Sequence, residues 1–146
     1  MIIVADASFL VALFTPADEF NVKAWQWWKQ IRCPFYSPAL AIFEAENTIR
    51  GFPVGNKCSV SAAAAAIEGM KRATLEGILV KRDAPVQRLL PQARRLSQFH
   101  TTNSTFGALD ILHVATALEL KAKTFLTFDH RQGALAKVEA LESPFT

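Results

Sequence analysis

The first ten residues, MIIVADASFL, constrain the fold more than any other stretch. Residues 2–5 (IIVA) are apolar at consecutive positions, and a strand without polar alternation has to be covered on both faces. That pattern belongs to a parallel strand inside a layered α/β domain. Asp6 closes the run, and in open parallel sheets sites form at the carboxyl ends of the strands. The segment KTFLTFD, residues 123–129, repeats the design with an apolar strand closed by Asp129. A turn or cap aspartate explains each strand end singly. Two buried strands that both terminate in aspartate point to a shared site.

The chain between them alternates helical and extended patterns. Thr15-Pro16 breaks the apolar run ASFLVALF. Asp18 or Thr15 is placed to cap a helix to about Arg32, with Phe20, Ala24, Trp27, Trp28 and Ile31 at helical spacing. The cluster WQWW is read on that stripe as core, not as a stacking platform for bases. PFYSP gives a short strand ending at Pro38. ALAIFEAENTIRG is a helix closed by Gly51, with Pro53 just beyond. SVSAAAAAIEGMKRATLEGIL is another, with Val60, Ala64, Ile67, Thr74 and Ile78 on one face, and its alanines are strong helix formers. LVKR forms a brief strand. Pro85 opens a helix carrying Val86, Leu89, Leu90, Ala93 and Leu96, which Pro91 is expected to kink or split. Thr105 or Gly107 caps a helix from about Ala108 to Lys121, and RQGALAKVEAL supplies a last helical piece. Strands alternating with helices imply an α/β domain with a parallel sheet. No repeat or linker divides residues 1–146, so one domain is expected.

Composition narrows the function classes. With 51% hydrophobic and 20% charged residues, the chain is that of a soluble globular protein. No apolar run approaches the ~20 residues needed to span a bilayer, and the start lacks the basic region of a secretory signal. Cys33 and Cys58 have no partners at metal-ligand spacing and are read as reduced thiols, which implies a cytoplasmic location. A net charge of +3 with pI near 9.1 is compatible with a polyanionic partner without demanding one.

Two further carboxylates compete on the helix ALAIFEAENTIR. Glu46 stands four residues before Arg50, a favourable surface pair worth roughly 0.2–0.5 kcal/mol. Glu44 lacks such a partner and shares a face with Leu40, Ala41 and Asn47, which favours it as a site residue. Asp110 lies in the first turn of LDILHVATALEL, where a helix dipole stabilises an anion, and it borders the stripe of Ile111, Val114, Ala115 and Leu118. His113, nearly a turn further, is read as a packed side chain outside the site. Carboxylates that converge without matching cations repel one another, and divalent ions relieve them. Oxygen donors favour magnesium or manganese over zinc, and carboxylate-held metals suit phosphoryl chemistry.

IIVADASFL, SPALAIFEAEN and ALDILHVATALELKAKTFLTFD, in this order and at these separations, resemble the PIN-domain ribonucleases found as VapC-type toxins of toxin–antitoxin pairs. The resemblance runs essentially end to end, although residues 52–105 add little to it. It implies a three-layer α/β/α sandwich with a mainly parallel central sheet, and Mg²⁺- or Mn²⁺-dependent hydrolysis of RNA leaving 5′-phosphate and 3′-hydroxyl ends. The family's acidic quartet falls on Asp6, Glu44, Asp110 and Asp129 as catalytic residues and metal ligands. Its E-x-x-N pattern places Asn47 beside Glu44. Its small hydroxyl residues fall on Ser8 and Thr127. A small antitoxin protein as partner and a homodimer are further implications.

Among basic side chains that could meet RNA at the rim (Arg50, Lys57, the Lys71-Arg72 and Lys81-Arg82 pairs, His130 and Arg131), Arg50 and Arg131 stand out. Competing readings fit less well. A haloacid-dehalogenase-like phosphatase needs a second aspartate where Ser8 stands. A receiver domain needs an acidic pair after its first strand. A serine hydrolase needs a G-x-S-x-G elbow. A non-catalytic PIN-like scaffold for RNA or protein has no need of an intact acidic set.

Overall fold

The computed structural model describes residues 1–102 and 104–146. Four short strands, β1 (Ile3–Ala5), β2 (Phe35–Ser37), β3 (Leu79–Lys81) and β4 (Thr124–Leu126), form one sheet in the order β3-β2-β1-β4. Every pairing is parallel; Val4 lies opposite Tyr36 on one side and Phe125 on the other. Among the described residues, seven helices surround the sheet: α1 (Ala7–Phe14), α2 (Asn21–Ile31), α3 (Ala39–Gly51), α4 (Val60–Leu75), α5 (Val86–His100), α6 (Ala108–Glu119) and α7 (His130–Val138).

Pleating of the strands divides the core in two. Ile3 and Ala5 join Leu126, Phe9, Phe35, Ile49 and Met70 on one face of the sheet. Val4 and Phe125 join Leu96, Val114 and Leu135 on the other. This double coverage explains the unbroken apolar run of β1 and makes the molecule a three-layer α/β/α sandwich with an all-parallel sheet. The order 3-2-1-4 reverses direction at β1, so the crevice beyond the carboxyl ends of β1 and β4 is the switch point at which such sheets bind ligands. The C-terminal segment runs beside β4, and Phe145 stacks on Phe128 with ring centroids 4.4 Å apart.

Several local expectations need correction. ASFLVALF, read only as a continuing apolar stretch, is helix α1, because Asp6 caps it through Phe9 N. α2 begins later than expected, at Asn21, after an Asx turn in which Asp18 Oδ1 accepts from Phe20 N. Trp27 and Trp28 lie against the core as expected, whereas Ile31 is half exposed. On α4 the buried stripe is Ala63, Ala66, Ile67, Met70 and Ala73; Val60 is exposed and Ile78 falls beyond the helix. On α5, Ala93 and Leu96 are buried while Val86 and Leu90 are not. α5 also runs through Pro91 unbroken: proline removes one ladder hydrogen bond, and packing against α6 holds the rest. β4 stops at Leu126, so Asp129 belongs to the turn into α7 and not to the strand end. Cys33 and Cys58 are free, and no helix among the described residues is long and apolar enough to cross a membrane.

Candidate active site

A short connection follows β1 directly into α1. Asp6, 1% exposed, is the N-cap of that helix, and its carboxylate accepts three hydrogen bonds. Its Oδ1 accepts from Ser8 Oγ at 2.8 Å and from Phe9 N at 3.0 Å, its Oδ2 accepts from Thr127 Oγ1 at 2.7 Å, and its own N–H donates to Leu126 O. The carboxylate is thus clamped between β1 and β4. Ser8 Oγ in turn accepts from Phe128 N, and Thr127 Oγ1 accepts from Asp129 N. The two hydroxyl residues therefore brace the turn after β4 as well as Asp6. Burial pushes the Asp6 carboxyl up to about 6, against the pull of Thr127, Phe9 N, Ser8 and the charge of His113.

Asp129 caps α7, its Oδ1 accepting from the N–H groups of Arg131 and Gln132. Asp110 closes the first turn of α6, its Oδ2 accepting from Gly107 N at 3.3 Å. The cap explanation for Asp6 and Asp129 is thus literally true of both, and it places them together: the N-termini of α1, α6 and α7, each with a carboxylate, border one cleft. Positive helix ends partly offset the gathered negative charge. Burial first, then the charge of Asp129 and more weakly that of Glu44, raise the Asp110 carboxyl above its ordinary range; Gly107 N and His113 oppose them.

Glu44 reaches the cleft from α3. It has no cationic partner at helical spacing, as expected, but it has a partner on another helix. His113 Nε2 donates to its Oε2 at 2.6 Å from a ring only 2% exposed. His113 is packed, as expected, and also holds Glu44; a lone helical histidine carries no sequence signal for a partner on another helix. Gln132 was missed altogether; its Nε2 donates to Asp110 Oδ1 at 3.1 Å. Its place three residues after a cap aspartate was the available signal. The cleft, about 390 Å³, is walled by Asp6, Ser8, Glu44, Asp110, Asp129 and Gln132, with Phe20, Thr48 and Lys57 among the remaining side chains. Asn47 is exposed and is not part of the wall; Thr48, one turn on from Glu44, takes that place. Neither rim arginine lines the cleft. Arg50 pairs with Glu46 at 3.3 Å, and Arg131 donates to Thr105 O.

Residues 3–138 match the family model of the PIN domain. The chain belongs to the PIN domain family. The crystal structure of Mycobacterium tuberculosis VapC20, a sarcin-ricin loop cleaving toxin, superposes on this PIN domain with a TM-score of 0.69 at 18% identity. The match covers 90% of this chain and 93% of that one. PAE2754 from Pyrobaculum aerophilum matches with a TM-score of 0.60 at 20% identity, over 98% of this chain and 83% of its own. Likeness at these identities speaks for the fold. No curated protein sequence matches the chain.

The donor set of this PIN domain suits a hard divalent cation. Its polar wall offers carboxylate, hydroxyl and amide oxygens, and Gln132 Oε1 is buried without a partner. Among the described residues no three His, Cys, Asp or Glu side chains form a ready cage. An open acidic cleft fits Mg²⁺ nonetheless, because that ion keeps several waters and takes only one or two carboxylates.

The clamp on Asp6 gives a direct test of the site's electrostatics. Thr127→Val keeps the shape and removes the 2.7 Å donor to Oδ2. Loss of a hydrogen bond to a buried charge is expected to cost about 1.5–3 kcal/mol at pH 8. The cost should shrink at pH 5, where Asp6 is protonated. Urea unfolding at the two pH values measures it, and an equal loss at both would contradict the assignment.

Proposed function

We propose that this PIN domain is a divalent-metal-dependent endoribonuclease that hydrolyses RNA phosphodiester bonds, and that it serves as the toxin of a toxin–antitoxin pair. The convergence of Asp6, Glu44, Asp110 and Asp129 on one cleft at the sheet's switch point carries this reading. Likeness in fold to VapC20 supports the toxin role, and with it come a small antitoxin as partner, a homodimer and a cytoplasmic setting.

Asp6, Asp110 and Asp129 would hold Mg²⁺ or Mn²⁺, with Glu44 at the cleft edge. Such an ion, when bound, polarises the scissile phosphate and offsets charge on the leaving oxygen. Everything else falls to the chain. The Ser8–Thr127 clamp fixes both Asp6 oxygens in place before any ligand arrives, so little reorganisation is left for the reaction. His113 does the same for Glu44, and Gln132 with Gly107 N does it for Asp110. The mutual repulsion of Asp110 and Asp129 is relieved by a cation, so binding energy is available to the site before RNA enters.

The deciding measurement is cleavage of a panel of single-stranded and stem-loop RNAs with Mg²⁺ or Mn²⁺, comparing wild type with Asp110→Asn. Wild type is expected to cut and leave 5′-phosphates, and Asp110→Asn to lose at least about 100-fold. An inert wild type, or a variant that cuts equally well, overturns the reading.

A further inference from the structure

Lys57 is the basic residue that the cleft presents. It lies in the turn that follows α3, where Phe52 is buried, Asn56 adopts a left-handed φ of 55°, and Lys57 N donates back to Phe52 O at 3.0 Å. This turn folds the lysine over its own anchor, with Nζ 5.1 Å from the centroid of the Phe52 ring. The stem is held by that cation–π contact, while the residue stays exposed and makes no ion pair among the described residues.

Its position relative to the carboxylates matters more. A second hollow of about 300 Å³, lined by Ala17, Asp18, Glu19, Phe52 and Lys57, adjoins the acidic cleft. The two share Asp18, Phe52 and Lys57. Lys57 is the one cation among the described residues that line either hollow. Its neighbours Asp18 and Glu19 would otherwise repel a nucleic acid strand at that point. A polyanion that places one phosphate among the carboxylates and continues into the second hollow therefore passes Lys57 on the way.

We infer that Lys57 anchors a backbone phosphate of the RNA strand adjacent to the scissile one, making it the substrate-positioning cation of the site. The inference rests on the nuclease reading above and adds to it the path of the strand. Arg50 and Arg131, the rim arginines favoured from sequence, are engaged elsewhere and are not assigned this part.

Steady-state cleavage of a short single-stranded RNA by wild type, Lys57→Ala and Lys57→Arg, across a range of salt concentrations, tests it. Lys57→Ala is expected to raise KM about tenfold, the loss of one charge-assisted hydrogen bond, with kcat within about twofold. The salt dependence of log(kcat/KM) should shallow by about 0.7, the value for one single-strand phosphate contact. Lys57→Arg should restore both. Should wild type cut RNA while Lys57→Ala keeps its KM and its salt slope, or lose kcat alone, the inference is overturned and the nuclease reading stands. A wild type that cuts no RNA removes both.

Discussion

Asp6→Asn is expected to abolish RNA cleavage, by more than about 100-fold, and at the same time to make the metal-free protein more stable at pH 8. Both effects have one source. The Asp6 carboxyl sits where burial raises it to about 6 from an ordinary 3.8. Between those values the folded protein holds a proton that the unfolded chain has released, so stability falls as pH climbs through that window. Above pH 6 the native state carries the full cost of a buried charge, on the order of 3 kcal/mol. Asparagine keeps the N-cap acceptor for Phe9 N and discards the charge. In EDTA at pH 8 the melting temperature should rise by about 5 °C, and the gain should disappear near pH 4. A variant less stable than wild type at both pH values would show that the buried Asp6 charge does not carry the cost assigned to it.

Phe9→Ala should produce the largest loss of stability in the molecule. The ring is fully buried on the α1 side of the sheet. It meets Phe35 edge-on at 5.6 Å and Trp27 at 6.1 Å, and stacks with Phe145 at 5.8 Å and Phe128 at 6.2 Å. It therefore ties α1, α2, β2, the turn after β4 and the C-terminal segment to one point. Removing it leaves a cavity that the surrounding strands cannot close, at about 3–5 kcal/mol, against a total stability of about 5–15 kcal/mol for a domain of this kind. The urea midpoint should drop in proportion while the slope of the transition is kept. A midpoint within a few tenths molar of wild type would mean that the aromatic cluster repacks.

Much of this architecture was visible in the chain because the informative signals were local. IVA and TFL are strands that only a doubly covered sheet accommodates. The Pro–Gly bracket around ALAIFEAENTIR is confined to that one helix. What escaped was whatever depends on a partner distant in sequence. α1 is too short and too uniformly apolar for its period to separate helix from strand, and only the cap geometry of Asp6 decides it. Glu44 and His113 meet across two helices, and neither helix carries a mark of the other. The basic side chains are the clearest instance. The sequence favours Arg50 and Arg131 over Lys57, but an arginine's usefulness to a substrate depends on whether a carboxylate or a carbonyl has already claimed it. The pairing of Arg50 with Glu46 was legible at i,i+4 spacing. The engagement of Arg131 with Thr105, on a different segment, was not.

The pairing of β1 with β4 has a consequence for synthesis. The cleft is closed by the two most widely separated strands of the sheet, so the loop that must be shut before Asp6 meets Thr127 is nearly the whole chain. Such long-range closure is entropically costly and slow. A nascent polypeptide emerging from the ribosome, complete through α6, already contains Asp6, Glu44 and Asp110. It has nothing on the far side of β1, no hydroxyl for the second Asp6 oxygen and no Asp129. The cleft is thus complete only once translation of the last strand is done, and a half-made copy lacks both its second wall and the clamp on Asp6.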